Sequence, residues 1–158
     1  MAIKVSRLEP GDKSPTFSLA NQDNNSVTSK ELLTTPTIFF FFPAAGSPGC
    51  TKEAVDFQDY LEDFAAQGYQ VVGISPDSVS RLKEFSLSHD LSFQLLSDPD
   101  LAAHRSFGAF GEKNLYGRVY TGVLRSKVLE EEKGKINRAL YNVKATGHTN
   151  MLNKGLGI

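Results

Sequence analysis

Cysteine is almost missing from this sequence: Cys50 is the one example in 158 residues. A lone cysteine cannot close a disulfide within its own chain, so a disulfide-stapled secreted scaffold is excluded. A Cys-x-x-Cys dithiol is excluded with it. An excess of charge of either sign is also missing. With 17 basic and 18 acidic residues and a net charge of -1, bulk charge gives no reason to expect nucleic acid or a membrane surface as partner. The apolar run Thr37 to Phe42 is far short of the roughly 20 residues that span a bilayer. The segment Met1 to Arg7 lacks the apolar core of a signal peptide, which makes the cytoplasm the expected location. Repeats, low-complexity tracts and linkers are lacking as well, so a single domain over residues 1–158 is expected. Histidine is scarce, and His89, His104 and His148 do not combine with Cys50 in any zinc-ligand spacing. None sits where it would serve as the base of a cysteine protease. No metal and no cofactor is implied.

What is present alternates between strand and helix patterns. Pro10-Gly11-Asp12 and Ser14-Pro15 mark a turn before a short strand at Thr16 to Leu19. Val27-Thr28 is placed to return as its hairpin partner after the turn cluster Gln22 to Ser26. Ser29 is a candidate cap for a short helix through Leu33. Thr37 to Phe42 is continuously apolar, which suits a central strand covered on both faces. From Cys50 onward, Ala54, Phe57, Leu61 and Phe64 recur at spacings of three and four and define one helical face, with Gly68 as its stop. A second buried strand is expected at Tyr69 to Ile74, and then a helix capped by Asp77 or Ser78. A strand at Ser92 to Leu96 and a short helix from Asp98-Pro99-Asp100 follow. Gly122 to Glu130 and Lys135 to Val143 read as a hairpin turning at Glu132-Lys133-Gly134, and a last helix is expected from about Gly147 to Leu156. This order predicts an α/β thioredoxin-like fold, a mixed central sheet with helices on both faces and an N-terminal β-hairpin extension.

Cys50 lies at the join of strand and helix, in Pro43-Ala44-Ala45-Gly46-Ser47-Pro48-Gly49-Cys50. Ser47 is a good N-cap type and Pro48 is favoured at the first helical position. The amides of Gly49 and Cys50 then have no intrahelical acceptor and are candidates to bind a polar oxygen. Gly49 permits close approach of a small substrate. Being in phase with the apolar face, the thiol is expected on the inward side of the helix, shielded but near the surface. The positive end of the helix favours its thiolate. A cysteine phosphatase loop needs arginine six residues after the cysteine, and Asp56 stands there. Arg125 sits between Val123-Leu124 and Val128-Leu129, in a segment apolar enough that its charge needs a partner. The plain alternative is that Cys50 is an inert buried residue.

The spacing of Pro43, Ser47 and Cys50 resembles the peroxiredoxin motif, proline, then threonine or serine, then the peroxidatic cysteine. The longer string Phe41 to Ala54 is similar to the peroxiredoxin Q, or bacterioferritin comigratory protein, subgroup. The likeness continues through Leu95 to Asp98, Gly111 to Gly117, Gly122 to Ser126 and Val143 to His148, in order along nearly the whole chain. It implies a thiol-dependent peroxidase acting on hydrogen peroxide and organic hydroperoxides, with Arg125 as the family's distant arginine and Pro43 shielding the thiolate. Glu53 is placed either to hold Arg125 or to face solvent. Two departures stand out. Serine replaces the more usual threonine at Ser47, and Val55 occupies the position where many subgroup members carry a resolving cysteine. The likeness is therefore to a one-cysteine form, monomeric or weakly dimeric.

The implied chemistry is attack of the Cys50 thiolate on a peroxide oxygen to give sulfenic acid. An outside thiol, from a thioredoxin- or glutaredoxin-like protein or a low-molecular-weight compound, then resolves it. An ordinary thiol is only a few per cent ionised at pH 7, so full ionisation supplies about thirtyfold. The remaining acceleration must come from donors aimed at the departing oxygen, here Arg125, the amides near Cys50 and the Ser47 hydroxyl. Two other readings fit the same residues. One is a peroxide sensor or redox relay with little turnover, and the other a thioredoxin-fold binding or chaperone-like module in which Cys50 is incidental.

Overall fold

The computed structural model of the protein describes residues 8–32, 34–115, 117–130 and 135–141. The turn expected at Glu132 to Gly134, the helix expected from Gly147, the motif Val143 to His148 and Tyr116 lie outside the described residues. A seven-stranded mixed sheet organises the rest, in the order β2-β1-β5-β4-β3-β8-β9. Its strands are β1 (Ser18–Asn21), β2 (Ser26–Thr28), β3 (Thr37–Phe41), β4 (Gln70–Ser75), β5 (Gln94–Ser97), β8 (Ser126–Glu130) and β9 (Ile136–Leu140). Strands β3, β4 and β5 run parallel. The N-terminal hairpin β1–β2 joins antiparallel to β5, and β8 joins antiparallel to β3. This is the expected thioredoxin-like architecture.

The apolar run at residues 37–42 explains the layering. Successive side chains of a strand point to opposite faces, and Phe39 to Phe42 are all wholly buried. Ile38, Phe40 and Phe42 join one core with residues of α2 (Pro48–Asp59), α3 (Leu61–Ala66) and α4 (Val79–Ser88). Phe39 and Phe41 join a second core with Leu32 of α1 (Ser29–Leu32) and with Phe107 and Ala109, which follow α5 (Ala102–Ser106). Each buried phenylalanine contributes roughly 1.5–3 kcal/mol of burial free energy. The run therefore fixes β3 at the centre and sorts the helices between the faces.

Several expectations change. The helix predicted from Cys50 to Gly68 is two helices broken at Tyr60, where φ is -98° and ψ 7°. The apolar spacing is unchanged across the break, because Phe57 and Phe64 remain in the first core with Leu61 packed against it. A periodicity count therefore passes straight over it. Gly68, at φ +86°, ends the pair as expected. Ser29 is not the cap of α1: its hydroxyl accepts from the Phe17 N–H, and Thr28 Oγ1 accepts from the Glu31 N–H. Ser78, rather than Asp77, caps α4. The segment Gly122 to Glu130 is not one strand. An unforeseen hairpin, β6 (Phe110–Leu115) and β7 (Arg118–Val123), forms a separate ribbon. The chain then turns at Leu124 and Arg125 before β8 begins.

Asp98 anchors the start of α5. Its carboxylate accepts from the N–H groups of Ala103 and His104 and pairs with His104 Nδ1 at 2.6 Å, with both side chains buried. Burial pushes the acid up, but the hydrogen bonds and charge of His104, with the Ala103 amide, outweigh it and hold Asp98 below its ordinary range. A depressed acid stabilises the fold above its unfolded-state pKa, and the benefit disappears as pH falls through the folded value. Asp98→Asn should therefore cost about 2 kcal/mol at pH 7, a difference from wild type that begins to shrink only as pH falls below about 4 and is lost below the folded-state pKa of Asp98. Urea titrations at several pH values measure this, and a pH-independent difference would remove the charge from the explanation.

Candidate active site

The site begins where β3 ends. Phe42 continues the strand through its N–H to Ile74 O, and half-buried Pro43 opens the loop. Gly46, at φ +86°, turns the chain towards α2 in the left-handed region that glycine tolerates. Ser47 then caps the helix in extended conformation, with Pro48 as its first residue. The Ser47 hydroxyl donates to Ala44 O at 2.9 Å and accepts from the Cys50 N–H at 3.4 Å. The Cys50 amide is therefore already engaged, contrary to the expectation that it is free for an outside ligand. Gly49, half-buried beside it, is the second helical residue and has no intrahelical acceptor for its N–H.

Two residues outside the motif hold the loop from the far side. Asp77 Oδ2 accepts from the Ala45 N–H at 2.6 Å, and Arg81 Nη2 donates to Ala45 O at 3.2 Å. Asp77 and Arg81 also pair at 3.4 Å. Sequence reading noticed Asp77 only as a possible cap, because helix-start residues carry no sign of a contact to a loop 32 residues earlier.

Cys50 belongs to the first core with Ala54 and Phe57 and is wholly buried. The helical phase points it inward and shields it fully, as the sequence pattern led one to expect. Its neighbours along the helix, Gly49 and Thr51, are half-buried. With the sulfur wholly buried, an oxidant reaches it only when some of the surrounding structure moves.

Polar groups nonetheless converge on the sulfur. Arg125 Nη2 donates to Cys50 Sγ at 3.4 Å, while Nη1 of the same guanidinium donates to Glu53 Oε1 at 2.8 Å. Burial works against the Arg125 charge, but Glu53 and Cys50 outweigh it and hold the guanidinium above its ordinary range. Glu53 faces inward and is wholly buried, which decides between the two placements open to it. Its second oxygen accepts from Lys127 Nζ at 2.8 Å. Lys127 is also wholly buried, with its ammonium 5.6 Å from the centre of the Phe57 ring. Burial pushes Lys127 below the ordinary lysine range, and Glu53 pulls it part of the way back. Two cations thus share one carboxylate, and the four groups sum to zero when Cys50 carries its negative charge. Sequence reading missed Lys127. Its clue was the two-residue period of β8, which puts residue 127 on the same face as Leu129, a member of the first core.

The structure therefore brings together Cys50, Ser47, Gly49, Glu53 and Arg125, with Pro43 at the loop entrance. Val55 is half-buried on α2. The described histidines lie elsewhere: His104 is bound to Asp98, and His89 packs edge-on against Phe85. His148 is outside the described residues.

Comparison with known proteins follows the same lines. A family model described as the AhpC/TSA family matches residues 10–139. A Mycobacterium tuberculosis protein assigned to the peroxiredoxins is 48% identical over 155 residues, which cover 98% of this chain and 99% of that one. A solved structure of the Xanthomonas campestris bacterioferritin comigratory protein, studied for its alkyl peroxide reduction activity, superposes with a TM-score of 0.82. It is 31% identical and covers 89% of this chain and 90% of that one. The Xylella fastidiosa PrxQ C47S mutant gives a TM-score of 0.88 at 26% identity, covering 96% and 97%.

Glu53 should prove structurally indispensable. Glu53→Gln leaves the buried Lys127 and the half-buried Arg125 facing a neutral amide, and breaking the buried Lys127 pair in this way costs about 3 kcal/mol. The denaturation midpoint of the purified variant reads this directly. An unchanged midpoint would show that the carboxylate does not compensate the two cations.

Proposed function

The chain belongs to the AhpC/TSA family, and from that premise we propose that Cys50 is the peroxidatic thiol, assisted by Arg125, Ser47, Gly49 and Pro43. The protein is a thiol-dependent peroxidase of the peroxiredoxin type. The observation that carries the assignment of residues is the guanidinium of Arg125, within hydrogen-bond reach of the Cys50 sulfur and tied by its other nitrogen to Glu53.

In the proposed reaction the Cys50 thiolate attacks one oxygen of a hydroperoxide in line with the O–O bond. A sulfur–oxygen bond forms and the O–O bond breaks. The electron pair of the broken bond leaves with the second oxygen, which takes a proton and departs as water or an alcohol. Cys50 is left as sulfenic acid. Negative charge moves from sulfur to the departing oxygen during this step. A donor already pointing at the sulfur, such as Arg125 Nη2, can follow that charge at little reorganisation cost. Pro43, which has no N–H to offer, and Ser47 shape the approach. Gly49 lets the substrate come close to the backbone.

A chain with one cysteine cannot resolve its own sulfenic acid. A thiol from outside attacks the sulfur, water leaves, and a mixed disulfide forms. A second thiol then releases Cys50 by exchange. The peroxide and the thiol are the two reactants of this cycle. We take the reductant to be a thioredoxin- or glutaredoxin-like protein or a low-molecular-weight thiol, and the working unit to be a monomer or weak homodimer. A reduced thiol pool suits the cytoplasm. Among the described residues no helix is long and apolar enough to cross a membrane. The family match over residues 10–139 supports reading the chain as one domain.

Cys50→Ser should abolish peroxide consumption in a steady-state assay with dithiothreitol as reductant. Turnover persisting in that variant would remove Cys50 from the chemistry, and consumption of a single equivalent by wild type would favour a sensor over an enzyme. Arg125→Ala should slow the single-turnover reaction with hydrogen peroxide by about 10²-fold while slowing alkylation by iodoacetamide far less. Equal losses in the two rates would reduce the arginine to a promoter of ionisation.

A further inference from the structure

Arg125 occupies a poor place from which to aim a catalytic group. It sits on the two-residue turn between β7 and β8, outside any ladder, with its side chain 16% exposed. Lys127, two residues on, is placed very differently. Its backbone lies inside the sheet, paired with Phe40 of β3 on one side and Leu140 of β9 on the other. Its side chain is wholly enclosed, with Nζ on Glu53 Oε2 and the Phe57 ring beneath it. Glu53 rides on α2, and the ladder does not hold it. Its carboxylate is oriented by two cations, one from the sheet and one from the turn.

We propose that Lys127 is a positioning residue for the peroxidase reaction: it fixes the Glu53 carboxylate against the sheet, and Glu53 in turn sets the guanidinium of Arg125 on the Cys50 sulfur. The proposal rests on the reading of Cys50 and Arg125 given above. Three independent elements supply the relay, and the sheet is the one among them whose geometry is over-determined. Charge-assisted hydrogen bonds are short and directional, so a carboxylate held at one oxygen presents the other in a defined direction. Without Lys127, Oε2 of Glu53 loses its partner, and the carboxylate is free to rotate and draw Arg125 off the sulfur. Charge balance at Glu53 does not by itself require a lysine here, because Arg125 already pairs with that carboxylate, and an apolar residue of similar length would fill the space beside Phe57 without the cost of desolvating a charge.

The test uses Lys127→Met, which keeps the stem and removes the ammonium, and Lys127→Gln, read in the same way, should the methionine variant not fold. Single-turnover rates with hydrogen peroxide and with iodoacetamide are measured for wild type, the Lys127 variant, Arg125→Ala and the double variant. The peroxide rate of the Lys127 variant should fall by roughly ten- to a hundredfold, with alkylation changed much less. The double variant should react no more slowly than Arg125→Ala alone, because a residue that acts through the arginine has nothing left to position once the arginine is gone. An unchanged peroxide rate in the folded Lys127 variant, a parallel fall in both rates, or losses that multiply in the double variant would each overturn the proposal. None of these three results touches the assignment of Cys50. A wild-type protein inert towards peroxide would remove that assignment as well.

Discussion

The carboxylate of Glu53 is the constraint on which the site depends. It is wholly buried on α2 and bonded to cations from two other places in the fold. A lone buried carboxylate would cost several kcal/mol, and so would the buried Lys127 left alone. Glu53 therefore requires a cation and Lys127 requires Glu53, and the three charges meet only where α2, the β7–β8 turn and β8 come together at one spacing. Cys50 lies on the same helix, three residues before Glu53. The contact of Arg125 with sulfur follows from the geometry that satisfies the carboxylate.

Seen this way, the two cores and the site are one construction. The phenylalanine run places β3 at the centre, with Phe40 facing α2. That strand carries β8 beside it, and β8 presents Lys127 next to Phe57 of α2. The loop that follows β3 is pinned by Asp77 and Arg81, so the start of α2 is held from both ends. A thiol set into so tightly packed a framework gains fixed donors but gives up open access, and Cys50 is wholly buried.

Much of this was legible in the sequence. The continuous run at 37–42 signalled a doubly covered strand, and the phase of Cys50 with Ala54 and Phe57 signalled an inward thiol. Pro43, Ser47 and Cys50 were found through motif spacing, and Arg125 through resemblance. Other features were hidden for physical reasons. The break at Tyr60 preserves the apolar period, so a pattern count cannot register it. The turn at Leu124-Arg125 lies in a stretch whose apolar residues belong to two different strands and read as one. The hairpin at 110–123 lacks a sharp alternation. Lys127 carries no mark of its role in the sequence around it, since pairing across 74 residues leaves no local trace.

Ionisation of a thiol and stabilisation of the departing oxygen are separable, because an alkylating agent senses only the first. The decisive quantity is the rate of Cys50 with hydrogen peroxide relative to its rate with iodoacetamide, each normalised to free cysteine at the same pH. If Arg125 and its neighbours stabilise the charge that moves onto oxygen, the peroxide rate exceeds that of free cysteine by orders of magnitude more than the alkylation rate does. If both rates rise by one common factor of about thirtyfold or less, the gain is ionisation alone, and the donors around the sulfur have no part in breaking the O–O bond.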